Sequence, residues 1–195
     1  MGRTIGIVLF DGAEELDWAG PWEVFTNAAK DGDRVVTLAE REGPVTCAKG
    51  LRVLADHTFA DCPPLDVIVV PGGQGTRTEM GNPAMLDLVT RSSATAAWTT
   101  SVCTGAFVLA GAGLLEGRRA TTHWATFDEL HQHHPELDLD ARARWVVDGN
   151  VVTAAGVSAG IDMALWLVGQ LYDVEHARQV QRWIQYDPAP PYQDA

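Results

Sequence analysis

The sequence predicts an α/β fold, a three-layer sandwich in which a mostly parallel sheet is covered by helices on both faces. Three observations carry this. Thr4–Phe10 and Asp66–Val70 are short, nearly continuous apolar runs, the pattern of strands buried on both sides. Such runs alternate along the chain with stretches of helical spacing, the order that gives crossover connections and parallel strands. In Ala96–Leu115, finally, a strand gives way to an apolar helix within two or three residues, with Cys103 on the turn between them.

In order along the chain, Thr4–Phe10 is the first strand and Asp11-Gly12 turns it. Leu16–Ala29 has helical spacing through Trp18, Trp22 and Phe25, but Pro21 interrupts it. Leu16–Gly20 is therefore expected to be an irregular lead-in, with Pro21 in the first true helical turn. Asp33–Glu40 is a second strand. Val45–Ala55 reads as a hairpin with Lys49-Gly50 at its tip. Asp66–Val70 follows and ends in Pro71-Gly72-Gly73. Gln74–Met80 and Pro83–Arg91 are expected helices, separated by Gly81-Asn82.

Ala96–Val102 is then a strand and Ala106–Leu115 an all-apolar helix. Arg118–Thr122 leads into a short strand. Trp124–His134 is amphipathic through Trp124, Phe127 and Leu130. Arg144–Val147 and Val151–Ala154 flank Asp148-Gly149-Asn150, a strong hairpin turn. Val157–Tyr172 is a second apolar helix. Val174–Tyr186 is amphipathic, with Val174, Ala177, Val180, Trp183 and Ile184 on one face. Residues 1–187 read as one domain, without repeats or linkers, and 188–195 as a Pro-rich tail.

A chain of 195 residues buries a full core. Apolar residues make up 46% and charged residues 21%, as in ordinary globular proteins. Fourteen Lys and Arg face 26 Asp and Glu, leaving a net charge of −12. A surface of that sign repels nucleic acid and anionic lipid, so neither is an expected partner. No stretch is long and apolar enough to span a bilayer, and the N-terminus lacks a secretory signal pattern. Cys47, Cys62 and Cys103 are odd in number and widely spaced, which suits reduced thiols and a cytoplasmic location. They form no C-x-x-C pair, and the His131, His133, His134 group has no partner at fixed spacing, so no metal site is expected.

The chemistry centres on Cys103. A packed-core cysteine is equally at home anywhere along a strand or helix, whereas this one falls on the turn itself. The turn has the form of a nucleophile elbow with Cys in place of Ser. At the start of a helix, free N–H groups and the helix dipole favour an anion, so the thiol pKa is expected to be lowered. In open parallel sheets, ligands bind beyond the carboxyl ends of the strands. Three loops converge there: Glu14, Glu15 and Asp17 on the first, Gly72-Gly73 on the second, and Cys103-Thr104 on the third. The N–H groups of Gly72, Gly73 and Thr104 are expected to form an oxyanion hole. Trp18, Trp22 and Trp124 are candidates to line an apolar pocket.

V-C-T-G-A-F-V-L-A-G-A-G-L-L-E-G-R-R-A-T-T-H-W, with V-V-P-G-G and F-D-G-A-E-E-L-D-W-A-G-P-W-E-V-F, resembles the ThiJ/PfpI superfamily, of class I glutamine-amidotransferase-like, flavodoxin-like fold. The nearest branch is isonitrile hydratase, beside the sensor domains of AraC-type regulators. The resemblance implies Cys103 as nucleophile, Asp17 as the acid facing it, and Thr104 orienting water or substrate. Thr104 stands where peptidase-like members carry His, which weakens a peptidase reading. His123, in T-T-H-W, is expected to line the pocket or bind substrate rather than serve as the base.

An ionised Asp17 repels a thiolate, so the expected state is a Cys103 thiolate beside a protonated Asp17, titrating as a coupled pair. The activity implied is hydration of an isonitrile to an N-substituted formamide through a Cys thioimidate, without cofactor or metal. A homodimer is implied as well. The alternatives are a small-molecule sensor domain, and a Cys amidase, peptidase or glyoxalase-like enzyme.

Overall fold

The computed structural model describes residues 2–189. Strand β1 (Thr4–Val8) is buried along its whole length. Helix α1 (Glu15–Ala28) follows, then β2 (Arg34–Ala39) and the antiparallel hairpin of β3 (Pro44–Thr46) and β4 (Arg52–Leu54). Next come the two-residue β5 (His57–Thr58) and the fully buried β6 (Val67–Val70). Helices α2 (Thr76–Glu79) and α3 (Pro83–Ser93) lead to β7 (Trp98–Val102) and α4 (Gly105–Gly111). β8 (Arg119–Ala120), a 3₁₀ turn at Trp124–Thr126, α5 (Phe127–His133) and β9 (Asp138–Leu139) follow. The chain continues through β10 (Trp145–Asp148), β11 (Val151–Ala154), α6 (Ala159–Leu171) and α7 (Val174–Trp183).

Seven strands form one sheet in the order β10-β11-β7-β6-β1-β2-β5. Every pairing in it is parallel except the β10–β11 hairpin at one edge. Helices α1, α6 and α7 pack together in one layer, and α2, α3 and α4 in the other. The α/β sandwich expected from the alternating pattern is therefore present. Ile5, Ile7, Val67, Ile68, Val69, Phe25 and Phe107 lie in one continuous core, each at most 1% exposed. No described helix is long and apolar enough to cross a membrane.

Several elements differ from expectation, each for a local reason. Pro21 sits inside α1 rather than at its start. Its missing N–H leaves only the Asp17 carbonyl without an intrahelical partner. Its ring is also buried against Gly160, whose missing Cβ would lie 3.3 Å away. Helix α4 stops at Gly111, short of the expected Leu115. The Gly113 N–H bonds the Ala110 carbonyl and the Leu114 N–H bonds the Leu109 carbonyl, closing the helix as a Schellman motif. Leu115 still reaches the core, but from a turn.

Trp124 opens a 3₁₀ turn and is 79% exposed, and Trp183 is the last residue of α7 and 80% exposed. Both were expected on buried faces. β5 and β9 are two-residue strands, too short for any periodicity to reveal. Of the expected Pro-rich tail, residues 190–195 lie outside the described residues.

Phe25 joins α1 to the core and is fully buried. Phe25→Ala is expected to cost about 3–5 kcal/mol of stability, because the lost transfer energy adds to that of the cavity. Urea unfolding with an unchanged m-value checks this.

Candidate active site

The turn between β7 and α4 is sharp because Cys103 takes a left-handed backbone, at φ +56°. A non-glycine residue seldom holds that conformation unless its surroundings impose it. Here they do: the Cys103 N–H bonds the carbonyls of Ala154 and Ala155, and the Thr122 hydroxyl donates to the Cys103 carbonyl at 2.9 Å. Thr121 is fixed in the same way. Its N–H donates to Thr153 Oγ1, and its hydroxyl to the Asp140 carbonyl. The two threonines of T-T-H-W are thus the fastening that carries His123 to the sulfur.

Asp17 arrives from the first turn of α1 and is completely buried. Its Oδ2 accepts the Gly72 N–H at 2.9 Å, and its Oδ1 has no hydrogen-bond partner. Thr104 Oγ1 accepts the Gly73 N–H at 2.9 Å and donates to the Gly73 carbonyl at 3.2 Å. Gly72 is where the loops meet. A Cβ there would lie 2.5 Å from Thr104 N, 2.8 Å from Asp17 Oδ2 and 2.8 Å from Cys103 Cβ.

These bonds revise two expectations. The N–H groups of Gly72 and Gly73 serve Asp17 and Thr104, so neither is free to form an oxyanion hole. Nor is the thiol pKa lowered. Burial pushes the Cys103 thiol up to about 12, with the Asp17 charge adding to it. The backbone N–H groups of Thr104 and Val157 oppose the rise without cancelling it. Asp17 is raised to about 7, first by burial and then by the Glu14 charge, against the pull of the Gly72 N–H. Burial thus raises both groups and the charge of each opposes that of the other, so the lowered thiol pKa is not found and the two titrate as a coupled pair. The pair holds two protons below about pH 7 and one above it.

A cavity of about 330 Å³ opens over the sulfur, lined by Cys103, Thr104, Gly73, His123, Ala125 and Val157 among others. Glu14, Lys49 and Arg77 border it too, but as ion pairs: Lys49 with Glu14, and Arg77 with Glu129, where Nε meets Oε1 at 2.8 Å. His123 Nδ1 accepts the Ala125 N–H at 3.2 Å. The three tryptophans expected here are elsewhere. Trp18 is in the core, Trp22 is 39% exposed on α1, and Trp124 faces solvent. His131, His133 and His134 join no metal-binding cluster among the described residues.

Sequence reasoning missed Val157, Arg77 and the hairpin tip Ala48-Lys49, all of which line the cavity. Val157 carried the clearest latent signal, as a β-branched residue after a strand and a glycine. Its φ of +43° turns its N–H toward the sulfur.

Comparison with known proteins agrees with the fold. A family model described as the DJ-1/PfpI family matches residues 3–170. An isonitrile hydratase of Pseudomonas putida is 44% identical over 194 residues, spanning 98% of this chain and 82% of that protein. The HTH-type transcriptional regulator CdhR of Pseudomonas aeruginosa is 32% identical over 158 residues, covering 80% of this chain but only 46% of the regulator. A crystal structure of a ThiJ/PfpI family protein from Pseudomonas syringae superposes with a TM-score of 0.91 at 34% identity, over 98% of this chain and 78% of that one. The structure of Drosophila melanogaster DJ-1beta shares the fold, with a TM-score of 0.84 at 23% identity, over 96% of this chain and all of that one.

The raised pKa of Asp17 has a consequence for stability. The folded state holds this proton more tightly than the unfolded chain does. The group's contribution is therefore complete below about pH 3.8 and lost as pH rises through about 7. Asp17→Asn keeps an acceptor for the Gly72 N–H and removes that dependence. Its stability should match wild type near pH 4 and exceed it above pH 7, by up to about 4 kcal/mol. Urea midpoints of the two proteins across this range test it.

Proposed function

The chain belongs to the DJ-1/PfpI family, and from that premise we propose that it is an isonitrile hydratase, adding water to an isonitrile to give an N-substituted formamide. The observation that carries the reading is the buried Asp17–Cys103 pair. Its carboxyl has one oxygen without an N–H or O–H partner, and its sulfur borders a cavity of about 330 Å³. The relative from Pseudomonas putida supports the same choice.

The chemistry follows from the proton count. With one proton, the pair has both a nucleophile and an acid. The sulfur of Cys103, on its nucleophile elbow, bonds to the terminal isonitrile carbon. The pair's proton goes by way of Asp17 to that same carbon, giving a thioimidate, R–N=CH–S–Cys103. Asp17, left as carboxylate, takes a proton from water as the water oxygen bonds the carbon. The C=N electron pair moves to nitrogen, which is then protonated. Collapse forms the C=O bond from the added hydroxyl and breaks the C–S bond. The formamide leaves, and the proton lost from the hydroxyl returns to the Cys103–Asp17 pair. Thr104 keeps the Gly73 strand of the cavity in place through its two hydrogen bonds.

The hydrogen bonding favours an isonitrile over an amide or ester. Acyl transfer develops charge on an oxygen and needs free N–H donors aimed at it. Here the Gly72 and Gly73 N–H groups are already bonded. Addition to an isonitrile develops charge on the attacked carbon, and the group required there is a proton donor beside the sulfur. A second reading, a ligand-binding sensor domain, has the match to part of CdhR in its favour. As a further part of the proposal, the chain forms a homodimer. Leu16, Trp22 and Leu51, exposed on α1 and the hairpin, are among the exposed apolar residues of the described chain that could take part.

Cyclohexyl isocyanide is the direct probe. Wild type is expected to release cyclohexylformamide, and Cys103→Ala to release none. kcat/KM should rise with pH through about 7, as the pair loses its first proton. No turnover of the isocyanide, together with turnover of methylglyoxal, would replace this reading with a glyoxalase-like one. Binding without turnover of either would favour the sensor.

A further inference from the structure

We infer that His123 donates a hydrogen bond from Nε2 to the thioimidate nitrogen during the hydrolytic half of the reaction, and that Gly156 is the positioning residue that admits its ring. This rests on the isonitrile reading of the site.

The backbone at His123 is tied to that of the nucleophile. The adjacent Thr122 hydroxyl bonds the Cys103 carbonyl, while the Thr126 N–H and hydroxyl both donate to the His123 carbonyl, at 2.9 and 3.0 Å. The ring therefore has a fixed origin on the cavity wall. Its Nδ1 lone pair is occupied by the Ala125 N–H, which places the proton of the neutral ring on Nε2. Nε2 has no protein partner among the described residues. The edge of the ring away from Nδ1 faces the backbone at Gly156, and His123 shares the cavity lining with Val157 and Cys103. A Cβ on Gly156 would sit 2.4 Å from His123 Cδ2 and 3.1 Å from Nε2. The φ of Gly156 lies outside the left-handed region, so the space it leaves for the ring explains the glycine better than its backbone freedom does.

The reaction needs such a donor at one point. When water adds to the thioimidate carbon, Asp17 takes the water's proton, so it is occupied while the C=N pair shifts onto nitrogen. Other side-chain donors around the cavity already have partners: Lys49 pairs with Glu14, Arg77 with Glu129, and the Thr104 and Thr126 hydroxyls with the Gly73 and His123 carbonyls. The backbone N–H groups of Thr104 and Val157 are turned to the sulfur, and Gln74 is exposed. His123 Nε2–H is a partly buried side-chain donor on this wall without a partner among the described residues. It bonds the nitrogen as charge develops there, and the proton then passes from Asp17 to nitrogen, leaving the imidazole neutral throughout.

The test uses purified full-length protein and cyclohexyl isocyanide, following formamide release and the intact mass of the protein. His123→Ala should lower kcat about 10²-fold, the usual cost of one such donor. It should also accumulate the thioimidate, seen as protein plus one isocyanide, because the first half of the reaction is untouched. His123→Gln, which keeps an N–H at similar reach, should recover part of kcat and lose the adduct. Gly156→Ala, with no change at the reacting atoms, should reproduce the adduct with a milder fall in kcat. If His123→Ala unfolds, the Gln and Gly156→Ala variants carry the test.

Full activity in the folded His123 and Gly156 variants, or slowed turnover with no adduct, overturns the inference while wild-type turnover leaves the isonitrile reading standing. Absence of both formamide and adduct in wild type overturns the reading itself.

Discussion

Three loops can meet around Cys103 only because position 72 has no side chain. The peptide of Gly72 passes so close to Asp17, Cys103 and Thr104 that any Cβ would fall within 2.8 Å of all three. That contact fixes the depth at which Asp17 enters the site and leaves its Oδ2 against the Gly72 N–H. It also brings Gly73 to the Thr104 hydroxyl. The pair's electrostatics and the shape of the cavity floor follow from this crossing. Cys103, at φ +56°, and Val157, at φ +43°, hold uncommon conformations around it, the cysteine kept there by the Ala154 and Ala155 carbonyls and the Thr122 hydroxyl.

Burial then sets the chemistry. A carboxyl and a thiol removed from water both resist ionisation, and each makes the other's charge more costly. The result differs from a freely ionised cysteine. Two acidic groups keep at least one proton between them through the neutral range, with the donors nearest the sulfur being the N–H groups of Thr104 and Val157 and the Thr104 hydroxyl. A site of this kind suits a reaction that must deliver one proton to the carbon it attacks. It suits less well a reaction that must stabilise an oxyanion, because the glycine N–H groups are bound to protein oxygens.

Much of this architecture is legible along the chain. Apolar runs such as Thr4–Phe10 and Asp66–Val70 mark strands buried on both faces, since only the inside of a sandwich accepts them. Pro71-Gly72-Gly73 and, after Cys103-Thr104, Gly105 mark turns at the strands' carboxyl ends, since helix and strand interiors tolerate Pro and Gly poorly. Pro21 misleads because one missing N–H costs little when the ring is packed, and Leu114-Leu115 because a turn closed by its own hydrogen bonds buries apolar side chains as well as a helix does. The ion pair of Arg77 and Glu129 joins residues 52 positions apart, and no local pattern announces it.

By itself, the sequence determined which residue types stand at the ends of the parallel strands: a cysteine on a bend, an aspartate at a helix start, a glycine pair after a buried strand. Periodicity and turn chemistry are local, so they are written in the order of the residues. Only the tertiary structure decided which N–H groups are free, which charges are already paired, and that both acids of the pair hold their protons more tightly than in water. Those depend on burial and on atoms brought together from distant parts of the chain, and neither is a property of any one stretch.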